Sequence, residues 1–303
     1  MAQLCINELS ILIPCFNHEC LELVTRLHQQ AITTGISFEI LVADDASTNQ
    51  TIIEKNRAIS CLSHCTYIEQ KVNMGRAAIR NFLARNACFA YLLYIDSDMT
   101  VINDNYLKHY LEVPSPMVVD GGVCIMAPTS EQQQLLRYLY EKAEEPHHTA
   151  QERQKKPHQH LHTANLLIAR QLMMQYPFDE RIHRYGYEDV LLGKTLQRHR
   201  IPIIHIDNPM GFCTFESNAE FIAKTEEGLQ TLCEFHQDLR GYSRLLTLVQ
   251  GIHIPAILWF IRLWHLLFGA AERRNLCGFR PQLSLFRLYQ LGYFVTLLKH
   301  REG

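Results

Sequence analysis

Short apolar runs that stop at polar tips, with helical spacing between them, leave few folds open to this chain. Leu9-Ser10-Ile11-Leu12-Ile13 ends in Pro14-Cys15-Phe16-Asn17, and Glu39-Ile40-Leu41-Val42-Ala43 ends in Asp44-Asp45-Ala46-Ser47-Thr48. Tyr91-Leu92-Leu93-Tyr94-Ile95 ends in Asp96-Ser97-Asp98. Runs of this length bounded by turn formers read as buried strands. Between the first two, Leu21, Val24, Leu27 and Ile32 recur at helical spacing, with Gly35 just after them. Thr66-Tyr67-Ile68-Glu69 reads as another strand, followed by a turn at Asn73-Met74-Gly75 and a helix through Arg76, Ile79 and Arg80. Strands alternating with helices predict an α/β fold with a mostly parallel sheet flanked by helices.

The polar tips are the candidate site, because open α/β sheets bind ligands beyond the carboxyl ends of their strands. Residues two apart on an extended backbone point the same way, so Asp96 and Asp98 can converge on one point. Two carboxylates there repel each other unless a cation or donors compensate, which suits a hard divalent ion; a solvated, capping Asp pair is the plainer reading. Composition fits a single globular enzyme. The chain has 303 residues, 47% of them hydrophobic, and its net charge of −2 gives no electrostatic case for nucleic acid as a partner. Ten cysteines follow no repeating framework, and the Cys61/Cys65 spacing has no second pair to complete a zinc site. The N-terminal residues lack a basic segment followed by an apolar run, so the expectation is a cytoplasmic protein with reduced thiols.

Taken in order, Pro14-Cys15-Phe16-Asn17, Asp44-Asp45-Ala46-Ser47-Thr48, Asn73-Met74-Gly75-Arg76, Ile79-Arg80-Asn81 and Asp96-Ser97-Asp98 resemble the motifs of the family 2 glycosyltransferases, inverting enzymes of the GT-A fold. Asn165, Phe178-Asp179-Glu180 and Tyr185-Gly186-Tyr187-Glu188-Asp189 resemble that family's acceptor-side half. The resemblance covers roughly residues 8–225 and implies a hexosyltransferase domain over 1–225. Its nucleotide-binding half would be about 1–115 and its acceptor-side half about 116–225, with a C-terminal helical extension at 226–303. It implies a nucleotide-sugar donor, a UDP-sugar by preference, held by Pro14, Phe16, Asn17, Asp44, Asp45, Asn73, Arg76, Arg80, Asp96 and Ser97. Mn²⁺ or Mg²⁺ would sit on Asp98, with Asp96 and His205. Arg153, Asn165, Tyr185 and Gly186 would face a glycan or lipid-linked acceptor, Asp189 would be the general base, and Glu188 would contact the acceptor hydroxyl.

Local alternatives stand beside these roles. Asp45 also suits an Asx-turn, Arg76 and Arg80 a solvated helix face, Asn73 a turn, Glu188 and Asp189 a helix N-terminus, and His205 a strand core. Two departures from the family pattern stand out: Ala46 replaces a glycine, and Phe212 falls where related sequences carry a histidine. The His- and Pro-rich residues 146–162 read as a surface loop that could act as a lid. The last eighty residues are apolar but interrupted by His253, Pro255, Arg262 and His265, too polar to span a bilayer. Trp259, Trp264, Arg273 and Arg274 there fit either a helix in a membrane interface, on the inner face of the membrane, or one packed on protein. Beside the transferase stands a second class, an inactive donor-binding or regulatory protein of the same fold. A nucleotidyltransferase lacks the glycine-rich, lysine-bearing signature it would need after the first strand.

Overall fold

Strand β1 (Glu8–Cys15) lies in the interior of the sheet, between two parallel neighbours, and is buried almost throughout, which suits its apolar run. The computed structural model describes residues 5–126 and 129–302. Along the chain follow α1 (Leu21–Thr34), β2 (Ser37–Asp44), α2 (Gln50–Arg57), β3 (Cys65–Glu69), α3 (Arg76–Asn86) and β4 (Tyr91–Ile95). Next come β5 (Met99–Thr100), α4 (Tyr106–Leu111), β6 (Val118–Asp120), β7 (Val123–Ile125), α5 (Leu136–Glu144) and α6 (Ala150–Lys155). Then β8 (Asn165–Ala169), α7 (Arg170–Gln175), α8 (Glu188–Arg198), β9 (Ile204–His205) and β10 (Met210–Phe212) complete the sheet-bearing part.

The seven-stranded sheet has the order β3-β2-β1-β4-β8-β6-β9. β1 runs parallel to β2 and β4, β2 to β3, and β6 to β9; β8 alone runs against its neighbours β4 and β6. Leaving β1, the chain builds outward through β2 and β3, then returns to the other side of β1 as β4. That reversal opens a crevice at the carboxyl ends of β1 and β4. The register Cys15↔Asp44 puts the tips of β1 and β2 on that edge, and Asp96 follows directly from β4. A small second sheet, β5-β10-β7, pairs Phe212 with Met99, the neighbour of Asp98. The GT-A architecture expected from the resemblance is therefore the one observed.

The chain forms two compact units. The first holds both sheets: residues to 126, then Pro146–His183 and Glu188–Thr214. The described residues of the second are 129–145, 184–187 and 215–302, so it takes up 129–145, 184–187 and 215–225, which the expected boundary at 225 placed in the first. It contains α5 together with α9 (Asn218–Glu234), α10 (Arg244–Gln250), α11 (Pro255–Leu276) and α12 (Leu283–Glu302). Ser217 and Glu220 cap α9 reciprocally, and Pro255 opens α11 at the position where its missing N–H is harmless. Leu136, Phe221, Ile222, Leu276, Phe286 and Tyr289 form this unit's core. Among the described residues no helix is long and apolar enough to cross a membrane.

Residues 146–162 differ from the surface loop expected of them. Thr149 caps α6 by accepting from the Glu152 N–H, and Arg153 on that helix is 2% exposed. A segment pinned by a buried guanidinium does not behave as a free loop.

Candidate active site

The loops at the ends of β1 and β2 are tied together by side chains expected to meet nucleotide. Asn17 Oδ1 accepts from the Thr48 and Asn49 N–H groups, and the Asn17 N–H donates to Ser47 Oγ at 2.7 Å. Asp44 accepts from Ser47 N–H and from the Tyr67 hydroxyl. Asp45 accepts from the N–H groups of Met74 and Gly75 at 2.7 and 3.0 Å, and Asn73 donates to its carbonyl. Burial raises the Asp45 pKa despite those two donors. Ala46 has φ +60°, the left-handed region, which explains a glycine at this position in relatives and costs alanine about 1–2 kcal/mol. Pro14 lies within β1, and Phe16 is half-exposed on the loop.

Sequence reasoning missed a buried thiol pair under this loop. The sulfurs of Cys15 and Cys20 lie 4.0 Å apart, and Asn56 donates to Cys15 Sγ and to His18 O. Donation from Cys20, working against burial, lowers the Cys15 pKa, with a further donation from Ser97. Nothing in the local pattern marks such a pair.

Gly75 adopts φ +85° at the start of α3, where a Cβ would stand 3.2 Å from the His183 carbonyl. The turn aims Arg76 and Arg80, one helical turn apart, at the same two carboxylates. Arg80 donates to Asp96 Oδ1 at 2.6 Å and to Glu188 Oε1 at 3.3 Å; Arg76 donates to Asp96 Oδ2 at 3.1 Å and to Glu188 Oε1 at 2.8 Å. Arg80 is 1% exposed and stacks over Phe178, so the solvated-face alternative does not describe it. Burial pushes the Asp96 carboxyl up, but the two guanidiniums outweigh it and hold its pKa low. Both Asp96 oxygens serve the arginines. The cation-sharing role expected of Asp96 therefore competes with two ion pairs.

Glu188 and Asp189 occupy the first turn of α8, where the helix dipole favours negative charge. Glu188 is buried, and its Oε2 has no hydrogen-bond partner among the described residues. Burial first, and the neighbouring Glu188 second, push the Asp189 carboxyl up to about 6, while His162, the Val190 N–H and Arg80 pull it down. A carboxylate so tuned is ionised at neutral pH yet basic enough to take a proton.

Three expected site residues, Arg153, Asn165 and His205, have their polar groups taken up by other parts of the protein. Asp120, fully buried, accepts from Arg153 at 2.7 Å and from the His162 N–H at 3.0 Å. Arg153 also donates to Ile206 O and meets His205 Nδ1 at 3.0 Å, while His205 Nε2 meets Pro157 O. Facing a guanidinium on one nitrogen and a carbonyl on the other, His205 is a neutral ring with its lone pair already used. Both nitrogens expected to offer a metal ligand are thus engaged by protein, and burial lowers the ring's pKa. Arg153, expected at the acceptor, is likewise engaged, by Asp120, His205 and Ile206 O. Asn165, completely buried, accepts from Tyr106 and Tyr110 hydroxyls and donates to Gly122 O and Asn208 O, which leaves no polar group for an acceptor. His162, missed in the sequence, feels the charge of Asp189; burial lowers its pKa, but Asp120 prevails and raises it. Tyr185 and Gly186 belong to the second unit, where Tyr185 N–H donates to Glu227 and Tyr185 O accepts from Thr231.

Among the described residues no three His, Cys, Asp or Glu side chains gather to hold a metal. A hard cation held by one or two carboxylates and completed by phosphate oxygens needs no such group. Asp98, on the turn between β4 and β5, is the donor that fits, and the ring of Phe212 adds none beside it.

Known proteins share this chain's fold and part of its sequence. The model of the family described as glycosyl transferase family 2 matches residues 10–176, just over half of the chain. A chondroitin synthase from Escherichia coli is 32% identical over 127 residues, 42% of this chain and only 18% of that relative's length. The S. aureus TarS 1–349 structure in complex with UDP-GlcNAc superposes with a TM-score of 0.50 at 18% identity, covering 98% of this chain and 92% of that one. The mannosyltransferase PcManGT from Pyrobaculum calidifontis, in complex with GDP-Man and Mn²⁺, gives 0.53 at 13% identity, covering 97% and 86%. At such identities the two structures speak for the fold, and the family match speaks for descent. The chain belongs to glycosyl transferase family 2.

Proposed function

We propose that this chain transfers a sugar from a nucleoside-diphosphate sugar, a UDP-sugar by preference, to a hydroxyl of a glycan or lipid-linked acceptor, inverting the anomeric centre. The observation that carries this reading is Asp189, a carboxylate tuned to about 6 beside the ion-paired Glu188, Arg76, Arg80 and Asp96 at the end of β4. In the reaction the acceptor oxygen bonds to the anomeric carbon as the bond to the leaving diphosphate breaks. Asp189 takes the hydroxyl proton. Glu188 Oε2, buried and lacking a hydrogen-bond partner among the described residues, offers that hydroxyl an acceptor. Arg76, the more exposed of the two arginines, can turn toward the diphosphate, while Arg80 holds Asp96 and Glu188 in place. Asp98 would hold Mg²⁺ or Mn²⁺, which when bound supplies Lewis-acid stabilisation of the leaving group. The neighbours bound to UDP-GlcNAc and to GDP-Man with Mn²⁺ support this donor class and cation.

Asp189→Asn tests the assignment, since it keeps the shape and removes the basicity. Transfer, measured as nucleoside diphosphate released with a panel of glycan acceptors, should fall about 10²- to 10⁴-fold. Donor affinity by calorimetry should stay the same, because the base acts only as attack begins. Near-wild-type transfer would leave Asp189 a helix cap. The second reading, a donor-binding protein without turnover, draws on Phe212 beside the Asp98 turn. It predicts donor binding with no release by the wild type on any acceptor.

A further inference from the structure

The N-terminal part of α11 carries an apolar surface turned to solvent. Ile257, Phe260, Trp264 and Leu267 recur at three- and four-residue spacing, and Trp259 and Phe268 widen the stripe. Among the described residues, eleven of the eighteen large hydrophobic side chains left exposed fall between positions 248 and 288. Single exposed apolar residues are ordinary, but a contiguous patch marks an interaction surface.

Charge selects the occupant. Residues 253–303 carry seven Lys and Arg against two Asp and Glu, in a chain whose net charge is −2. Arg274 and Arg280 are exposed, the latter beside Phe279 at 94% exposure. A second copy docking through the same stripe would bring two positive segments face to face, whereas an anionic lipid surface complements them. The chain's two tryptophans both lie on this helix, and their part-polar rings suit a membrane interface. Since α11 is not apolar enough to cross a bilayer, it would lie along the interface.

We infer that the α11 stripe docks this protein on an anionic lipid surface, with Trp259 and Phe260 entering the interface and Arg274 and Arg280 facing the headgroups. This goes beyond the transfer reading and does not depend on it. The test is flotation with phosphatidylcholine vesicles, with and without about 30% phosphatidylglycerol, at low and high salt. The protein should float with the anionic vesicles only, release as salt rises, and shift its tryptophan emission to the blue. Arg274→Glu with Arg280→Glu should weaken partition roughly fivefold or more per charge. Trp259→Ser with Leu267→Ser, at exposed positions that leave the circular dichroism unchanged, should abolish it. No flotation with either vesicle, or equal flotation with both, overturns the inference. So does a dimer in light scattering that Trp259→Ser with Leu267→Ser dissolves, which would assign the stripe to a second copy. Nucleoside-diphosphate calorimetry on the same samples reports the donor reading separately.

Discussion

Asp189 shows what one carboxylate's surroundings do to both rate and stability. Burial and Glu188 raise its pKa from 3.8 to about 6, so the free base should govern the acid limb of transfer. The expected kcat/KM falls about tenfold per pH unit below roughly pH 6 and is level above it; an acid limb near the ordinary carboxylate value would remove Asp189 from the role. Linkage sets the sign for stability. Because the folded-state pKa is the higher one, the group's stabilising protonation is fully present below about pH 4 and lost as pH rises through about 6. Asp189→Asn should therefore unfold at higher denaturant than wild type near pH 8, by on the order of 1 kcal/mol after allowing for partial exposure, with the gain gone near pH 4. The structure brings Asp189, Glu188, Arg76, Arg80 and Asp96, all singled out in the sequence, into one cluster. The sequence did not show that Arg80 spends itself on Asp96 and Glu188, because a partner 108 residues away is outside any local pattern.

At the scale of elements, α6 is the clearest case of tertiary contact overriding composition. It lies in residues 146–162, which are polar, proline-punctuated and rich in His, a composition that alone describes a loop. Arg153 makes it a packed helix by meeting Asp120, Ile206 O and His205. Arg153→Met should destabilise the protein by about 3–5 kcal/mol in urea unfolding, because it leaves Asp120 buried with a charge no longer paired by that guanidinium. Arg153→Lys should recover part of the loss, keeping the charge without the planar fork. Unchanged midpoints for both would show that the network does not hold α6. Strands β1 to β4 and helices α1 and α3, by contrast, were legible from apolar periodicity and turn residues, since each follows from its own few residues. The two-residue strand β5 was not, because pairing rather than sequence defines it, whereas β9 falls inside the apolar run around His205.

For the molecule as a whole, donor and cation should report together. A nucleoside diphosphate at about a hundredfold its Kd should stabilise the folded state by about 2.7 kcal/mol, seen as a rise in Tm. The rise should be larger with Mn²⁺ than with chelator, and Asp98→Ala should remove the difference. An equal rise in both conditions would take the cation away from Asp98. By itself the sequence determined the α/β class, the parallel core around β1 and the strand ends that carry the site. Those features arise from side-chain periodicity of two or three to four residues, which a chain displays without being folded. Only the tertiary structure decided which charges neutralise which, that His205, Arg153 and Asn165 hold the fold, and that segments 129–145 and 184–187 join the C-terminal helices. Electrostatic pairing and burial depend on groups far apart in sequence, and no local pattern records them.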